Sequence, residues 1–104
     1  MTIYVFRILG ENFHATIDYK QAKYGFFTYR VVEAEDVSSA ENQAMQMVRD
    51  DQTLRGLVKN PDHDPPTMTA DEIYEIEKRE DFEDATGFIW FEMKPKRWWQ
   101  FWRR

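Results

Sequence analysis

The residues that could do chemistry are few and lie far apart in this 104-residue chain. The two histidines are His14 and His63, and the second stands between acids in the run Asp62-His63-Asp64. Carboxylates and imidazole are common metal ligands, but three consecutive residues of one loop rarely converge on a single ion. The run therefore favours a solvated loop, and we expect neither a metal nor another cofactor.

His14 is the other candidate for acid–base chemistry. It lies on the polar side of an alternating segment, where Asp18 or a carboxylate of a neighbouring strand could orient it as a general base. The chain has no cysteine, and its four glycines are too scattered to form a phosphate-binding loop, so they are interpreted as turn residues. The sequence predicts a non-enzymatic protein. A ligand-binding or enzymatic cleft near His14 or residues 61–66 is the alternative.

The C-terminal segment 94–104 is the most distinctive part of the chain. It holds three of the four tryptophans and five of the fourteen Lys and Arg residues. Residues 1–93 carry the other nine Lys and Arg against nineteen Asp and Glu, so this body has a net charge of −10 and the tail +5. The candidate interaction residues are Trp98, Trp99, Phe101, Trp102, Arg103 and Arg104.

The tail suits more than one kind of partner. Trp98, Phe101 and Trp102 would share one side of a short helix and could cover apolar surface in the same chain, a second copy or another protein. A basic, Trp-rich segment also suits an anionic membrane surface, where each basic residue contributes about 1 kcal/mol. Nucleic acid is not expected, because the acidic body repels phosphates. We expect a homodimer or another protein partner, with membrane binding through residues 96–104 as the alternative.

The first third of the chain predicts three strands. Residues 2–9 are β-branched or aromatic on both sides of the expected pleat, and the turn-forming run Gly10-Glu11-Asn12 follows. Residues 13–19 alternate apolar and polar side chains and would pair with the first strand as a hairpin. A loop is expected over residues 20–25, before the clearest strand pattern at residues 26–35.

One main helix is predicted after these strands. Ser38 and Glu41 form a capping box, and apolar residues follow at helical spacing until the helix ends near Asp51. A second short turn is expected between Leu54 and Val58, before a proline-rich loop at residues 59–66.

Residues 69–80 suit two structures. Thr69 and Glu72 could cap a helix, or the segment could be an edge strand in which Tyr74 and Ile76 face inward. The strand is favoured, because a turn-like segment at residues 81–87 and an aromatic strand at residues 88–93 would complete a second hairpin.

The predicted order β-β-β-α-β-β gives an α+β fold: an antiparallel sheet of four to five strands with one main helix on one face. Residues 1–93 would form this single domain, and residues 94–104 a short C-terminal amphipathic segment. Such a sheet is roughly 20–25 Å wide and a helix about 10 Å across, so one helix covers one face at most. Because residues 2–9 and 88–93 are apolar on both sides, the second face needs cover from the tail, a second subunit or another partner.

The N-terminal residues do not predict a targeting segment. They lack a basic n-region, Arg7 interrupts the first apolar run, and no apolar run approaches the roughly 18 residues that would span a bilayer. Together with the absence of cysteine, this pattern predicts a soluble, cytoplasmic protein.

Three short motifs suggest a family. Gly10-Glu11-Asn12-Phe13, the strand Gly25-Phe26-Phe27-Thr28-Tyr29-Arg30 and the run Val32-Glu33-Ala34 before the helix resemble a group of small uncharacterised bacterial proteins. The resemblance covers roughly residues 3–50 and leaves out the tail. It implies a bacterial α+β domain and no activity, so it assigns no functional residue.

Overall fold

The computed structural model describes residues 1–78 and 87–93, and within them the fold is α+β. The elements are β1 (Thr2–Ile17), β2 (Lys20–Ala34), α1 (Val37–Arg49), α2 (Gln52–Leu57), β3 (Thr67–Ile76) and β4 (Ile89–Glu92). The strands form one antiparallel sheet in the order β3-β1-β2-β4. The predicted fold class, an antiparallel sheet with its main helix on one face, is confirmed. The predicted C-terminal amphipathic segment lies outside the described residues.

A single long hairpin replaces the three strands predicted before the helix. The expected break at residues 10–12 is instead a bulge within β1, where the pairing register with β2 shifts between Gly10 and Phe13. The actual turn is formed by Asp18 and Tyr19, whose φ angles of 52° and 67° suit a two-residue hairpin turn. The expected loop at residues 20–25 is the start of β2. A bulge absorbs turn-forming residues without ending the strand, which is why the turn signal was misleading.

The core lies between the sheet and the two helices. From α1, Ala40, Ala44 and Val48 are fully buried, and their small side chains let the helix approach the sheet closely. Against them lie the aromatic residues Phe6 and Phe26 of the central strands, which are also fully buried. We call this side of the sheet the inner face. Its large apolar side chains supply most of the burial in a chain of this size.

Helix α1 begins two residues earlier in sequence than a Ser38 cap would place it. Asp36 is the N-cap, and its carboxylate accepts a hydrogen bond of 2.7 Å from the backbone N–H of Ser39. The helix ends at Arg49, close to the predicted end. The short turn expected after it is α2, which is capped by Asp51.

Arg30 is a buried cation that the strand pattern did not single out. It is 3% exposed on the inner face, donates a 2.6 Å hydrogen bond to the hydroxyl of Thr28 and lies 3.3 Å from the Asp51 carboxylate. Its guanidinium also lies over the Phe88 ring. Burial lowers the pKa of Arg30, and the charge of Asp51 opposes that shift. The ion pair ties the centre of the sheet to the start of α2.

The strand favoured for residues 69–80 is confirmed as β3, but its predicted inward-facing residues are wrong. Tyr74 and Ile76 pair with Val5 and Ile3, so they lie on the side of the sheet opposite the helices. The reason is a second bulge: the register between β1 and β3 shifts, leaving Asp71 as an extra residue in β3. One extra residue exchanges the two faces of everything that follows it.

Candidate interaction surface

The side of the sheet opposite the helices forms a second continuous apolar surface, which we call the outer face. It follows from alternation: the residues of β1 and β2 between the core positions must point away from the core. Paired residues of β3 and β4 extend it on both sides. Its members are Ile3, Val5, Arg7, Leu9, Phe27, Tyr29, Val31, Tyr74, Ile76, Ile89 and Phe91.

Large apolar side chains on the two edge strands of the outer face reach solvent, whereas Val5 at its centre is fully buried. Ile89 is 63% exposed, Tyr74 38% and Phe91 37%. Both described helices pack on the inner face, since Ala40, Ala44 and Val48 of α1 and Leu54 of α2 belong to the core there. Among residues 1–78 and 87–93, no helix lies across the outer face. A contiguous apolar surface of this kind marks an association site more often than a solvated one.

Arg7 lies near the middle of the outer face, and neighbouring carboxylates balance its positive charge. Its guanidinium lies 4.7 Å from the centre of the Phe27 ring, forms an ion pair with Asp71 and lies 3.5 Å from Glu72. The hydrogen bond to Asp71 raises the pKa of Arg7, although desolvation opposes the shift. The bulge that adds Asp71 to β3 therefore places a carboxylate beside the central cation. A paired charge of this kind is easier to bury in an interface than an isolated one.

Two glycines sit beneath aromatic rings rather than in turns. A Cβ atom on Gly25 would collide with the ring of Phe91, and one on Gly10 would collide with the rings of Phe26 and Phe13. Gly25 thus lets Phe91 lie flat on the outer face, where its ring centre is 5.6 Å from that of Phe27. The interpretation of these two glycines as turn residues is wrong, because they lie within β2 and β1.

The end of the sheet opposite the hairpin turn is acidic. A recess of about 520 Å³ there has Ile3 and Ile76 in its lining together with the carboxylate residues Glu33, Glu75 and Glu77, all three of which are exposed. The sheet brings Glu33, Glu75 and Glu77 to one recess. Asp71 and Glu72 lie elsewhere, where they form ion pairs with Arg7.

The hairpin end of the sheet carries a polar cluster around His14. Its Nε2 lies 2.8 Å from Oδ2 of Asp64, whose other oxygen accepts a 2.8 Å hydrogen bond from Asn12. Asn60 accepts from the backbone N–H of His14 and donates to the carbonyl of Asn12. These bonds fasten the proline-rich loop to the bulge of β1.

The electrostatics of this cluster favour an ionised Asp64. The hydrogen bond from Asn12 is the largest cause that lowers the pKa of the carboxyl, and the bond with His14 and the charge of Lys23 act in the same direction. Of the run Asp62-His63-Asp64, only Asp64 joins the cluster, while Asp62 and His63 are exposed. In the described part of the chain, no three His, Asp or Glu side chains are placed to hold a metal. The arrangement holds the loop in place, and it brings together two features that were far apart in the sequence.

The candidate interaction residues Trp98, Trp99, Phe101, Trp102, Arg103 and Arg104 lie outside the described residues. The remaining tryptophan, Trp90, lies on the inner face, with its ring centre 5.2 Å from that of Phe26. None of the helices in the described ranges is long and apolar enough to cross a membrane.

The chain matches no protein-family model, no curated protein and no solved structure. The family resemblance over residues 3–50 therefore stays a prediction.

Proposed function

We propose that this chain is a non-enzymatic interaction protein that self-associates, with the outer face of one copy packed against that of a second. The observation that carries the proposal is the exposure of Ile89 and Phe91 at the β4 edge of the outer face. Two sheets that pack face to face lie about 10 Å apart and bury their facing side chains as a protein core does. The absence of cysteine is consistent with a cytoplasmic location, which is part of the proposal.

The size of the outer face suits a modest interface. Three strands at about 4.8 Å spacing are about 14 Å wide, the overlap of β1 with β3 is about 30 Å long, and the four-residue β4 adds about 60 Å². The footprint is then roughly 500 Å² per copy. Two copies would bury about 1,000 Å², the smallest area expected of a biological interface. The face alone supports association, and additional surface would strengthen it.

The polar groups of the outer face are compatible with burial against a second copy. Arg7 keeps its partners Asp71 and Glu72 within its own chain, so closing the interface does not leave an isolated charge. The acidic recess and the His14 cluster lie at the two ends of the sheet, where a polar rim is expected around an apolar centre.

Sedimentation velocity of the full chain over a range of concentrations tests the proposal. We expect a dimer, and we expect Ile89→Glu to shift it towards monomer by placing a charge at the most exposed apolar position of the face. Met47→Glu is the matched control, because Met47 is 44% exposed on α1, away from the outer face. A wild-type monomer at every concentration would refute the proposal. If such a monomer binds anionic vesicles, the membrane alternative through residues 96–104 replaces it.

A further inference from the structure

A cavity opens on the helix side of the sheet, away from the outer face. It has a volume of about 290 Å³ and lies between α2, the end of α1, the proline-rich loop and strands β1 and β3. Small-molecule sites in proteins begin at about 300 Å³, so a cavity of this size suits a compact ligand. The chemistry of its lining indicates which kind of ligand that would be.

Most of the residues that line this cavity are apolar. Phe13 of β1 and Leu54 of α2 are buried, whereas Val58, Pro66 and Met68 are half-buried. Val58 and Met68 also pack against the core cluster that contains Phe13 and Leu54, so the cavity is an open extension of the core. An apolar ligand body would be packed there much as a core side chain is.

Two exposed arginines, Arg49 and Arg55, complete the lining. Arg55 is held in place, because its Nε donates a 2.9 Å hydrogen bond to the backbone carbonyl of Arg49 and a terminal nitrogen lies 3.1 Å from Oδ1 of Asp50. Among residues 1–78 and 87–93, no carboxylate lies within ion-pair distance of the Arg49 side chain. Two guanidinium groups and one carboxylate thus leave one positive charge unbalanced beside an apolar cavity, in a chain whose net charge is −5.

We propose that this cavity binds a small monocarboxylic acid with a compact apolar body, such as an aromatic ring. The body packs against the apolar lining, and the carboxylate accepts hydrogen bonds from Arg49 and Arg55. A planar guanidinium matches the geometry of a carboxylate, and a single negative charge balances the one positive charge that Asp50 leaves. The site does not depend on the proposed self-association, because it lies on the helix side of the sheet.

Isothermal titration calorimetry of the full chain with cinnamate tests the proposal, because cinnamate joins one aromatic ring to one carboxylate. Two matched ligands serve as controls: cinnamamide keeps the ring without the charge, and acetate keeps the charge without the ring. We expect cinnamate to bind at least about tenfold more tightly than either, since hydrogen bonds to a charged group are stronger than those to a neutral one. Equal affinities for cinnamate and cinnamamide, or no binding of cinnamate, would refute the proposal.

The variant Arg49→Gln tests the role of the unpaired guanidinium. We expect it to weaken cinnamate binding at least about fivefold and to leave the affinity for cinnamamide unchanged. Lys59→Gln is the control, because Lys59 is an exposed cation next to Val58 that is not part of the described lining. If both variants weakened cinnamate binding equally, general charge attraction would account for it and the assigned site would be wrong.

Amide chemical shifts of the wild-type chain locate the bound ligand. We expect cinnamate to shift the signals of Leu54, Val58 and Met68, whereas shifts confined to Ile89 and Phe91 would place the ligand on the outer face and refute the site. Sedimentation separates this inference from the proposed function. A monomer that binds cinnamate in the cavity would refute self-association alone, and a dimer that does not bind it would refute the ligand site alone.

Discussion

Oδ2 of Asp64 lies 2.8 Å from Nε2 of His14, and this contact joins the proline-rich loop to the bulge of the central strand. The same carboxylate accepts from Asn12, a residue of the bulge whose φ of 61° is left-handed. The loop between α2 and β3 is therefore held by Asn12 and His14. The bulge in β1 gives these two side chains the orientation that reaches Asp64. The contact explains how a segment rich in proline is positioned without regular backbone pairing.

The Asp64 contact predicts a dependence of stability on pH. The folded chain lowers the pKa of this carboxyl, so its ionised form stabilises the fold above the pKa of the unfolded chain. That stabilisation is lost as the pH falls through the lower folded pKa. Urea unfolding of the wild type and of Asp64→Asn should differ at neutral pH and converge in acid. Asp62→Asn is the control, and an equal effect of both substitutions at neutral pH would contradict the role of Asp64.

The ion pair of Arg30 and Asp51 predicts that substitution of Asp51 lowers stability more than substitution of the neighbouring Asp50. Asp51→Ala leaves the buried guanidinium without its carboxylate and removes the cap of α2, so we expect a loss of about 3–5 kcal/mol in the free energy of unfolding. Asp50→Ala removes an exposed pair with Arg55 and an exposed hydrogen bond from Gln46, and it should cost less than about 1 kcal/mol. Denaturant titration of both variants measures the difference. Equal losses would mean that Arg30 is not stabilised by Asp51.

Gly10, which lies beneath the rings of Phe26 and Phe13, predicts that its substitution affects stability differently from that of Gly56. Gly10→Ala pushes a methyl group into the rings of Phe26 and Phe13, and overpacking of this kind costs about 1–3 kcal/mol. Gly56→Ala adds its methyl group to open space within α2, where alanine is favoured by about 0.5–1 kcal/mol. Thermal unfolding should therefore move in opposite directions for the two variants. A Gly10→Ala protein as stable as the wild type would show that the rings can shift.

The tail tryptophans offer a fluorescence test of association. In a Trp90→Phe variant, the remaining tryptophans are Trp98, Trp99 and Trp102, so emission reports on the tail alone. We expect this emission to shift to shorter wavelength as protein concentration rises through the monomer–dimer transition, because burial in an interface would remove the rings from water. Emission characteristic of exposed indole at every concentration would contradict a role of the tail in association. A concentration-independent blue shift would indicate that the tail packs within its own copy.

The sequence predicted the fold class but not the details of the strands. Residues 2–9 were predicted to be apolar on both sides of a strand, and β1 has Ile3, Val5 and Leu9 on one side and Phe6 and Ile8 on the other. The turn residues around Gly10 suggested a break, since the same residue types occur in turns and bulges. The inward orientation of Tyr74 failed for a related reason, because the extra residue at Asp71 cannot be recognised without knowing the pairing register.

The candidate site was predictable only in part. The need for cover on a second sheet face followed from the apolar residues on both sides of the first and last strands. The contact between His14 and Asp64 could not be anticipated, because fifty residues separate them in sequence. Sequence spacing does not predict a contact between residues of two different elements. The ion pair of Arg30 with Asp51 is a second example. Sequence spacing detects the face to which a residue belongs more reliably than the neighbour that it contacts.

The two bulges also bear on how far association can proceed. A bulge increases the local right-handed twist of its strand, and this sheet has one in β1 and one in β3. A strongly twisted face fits a single partner related by a two-fold axis, whereas indefinite stacking into fibres requires flat faces. In the proposed self-association, the same irregularities that obscured the strands in the sequence would favour a closed pair over open-ended aggregation.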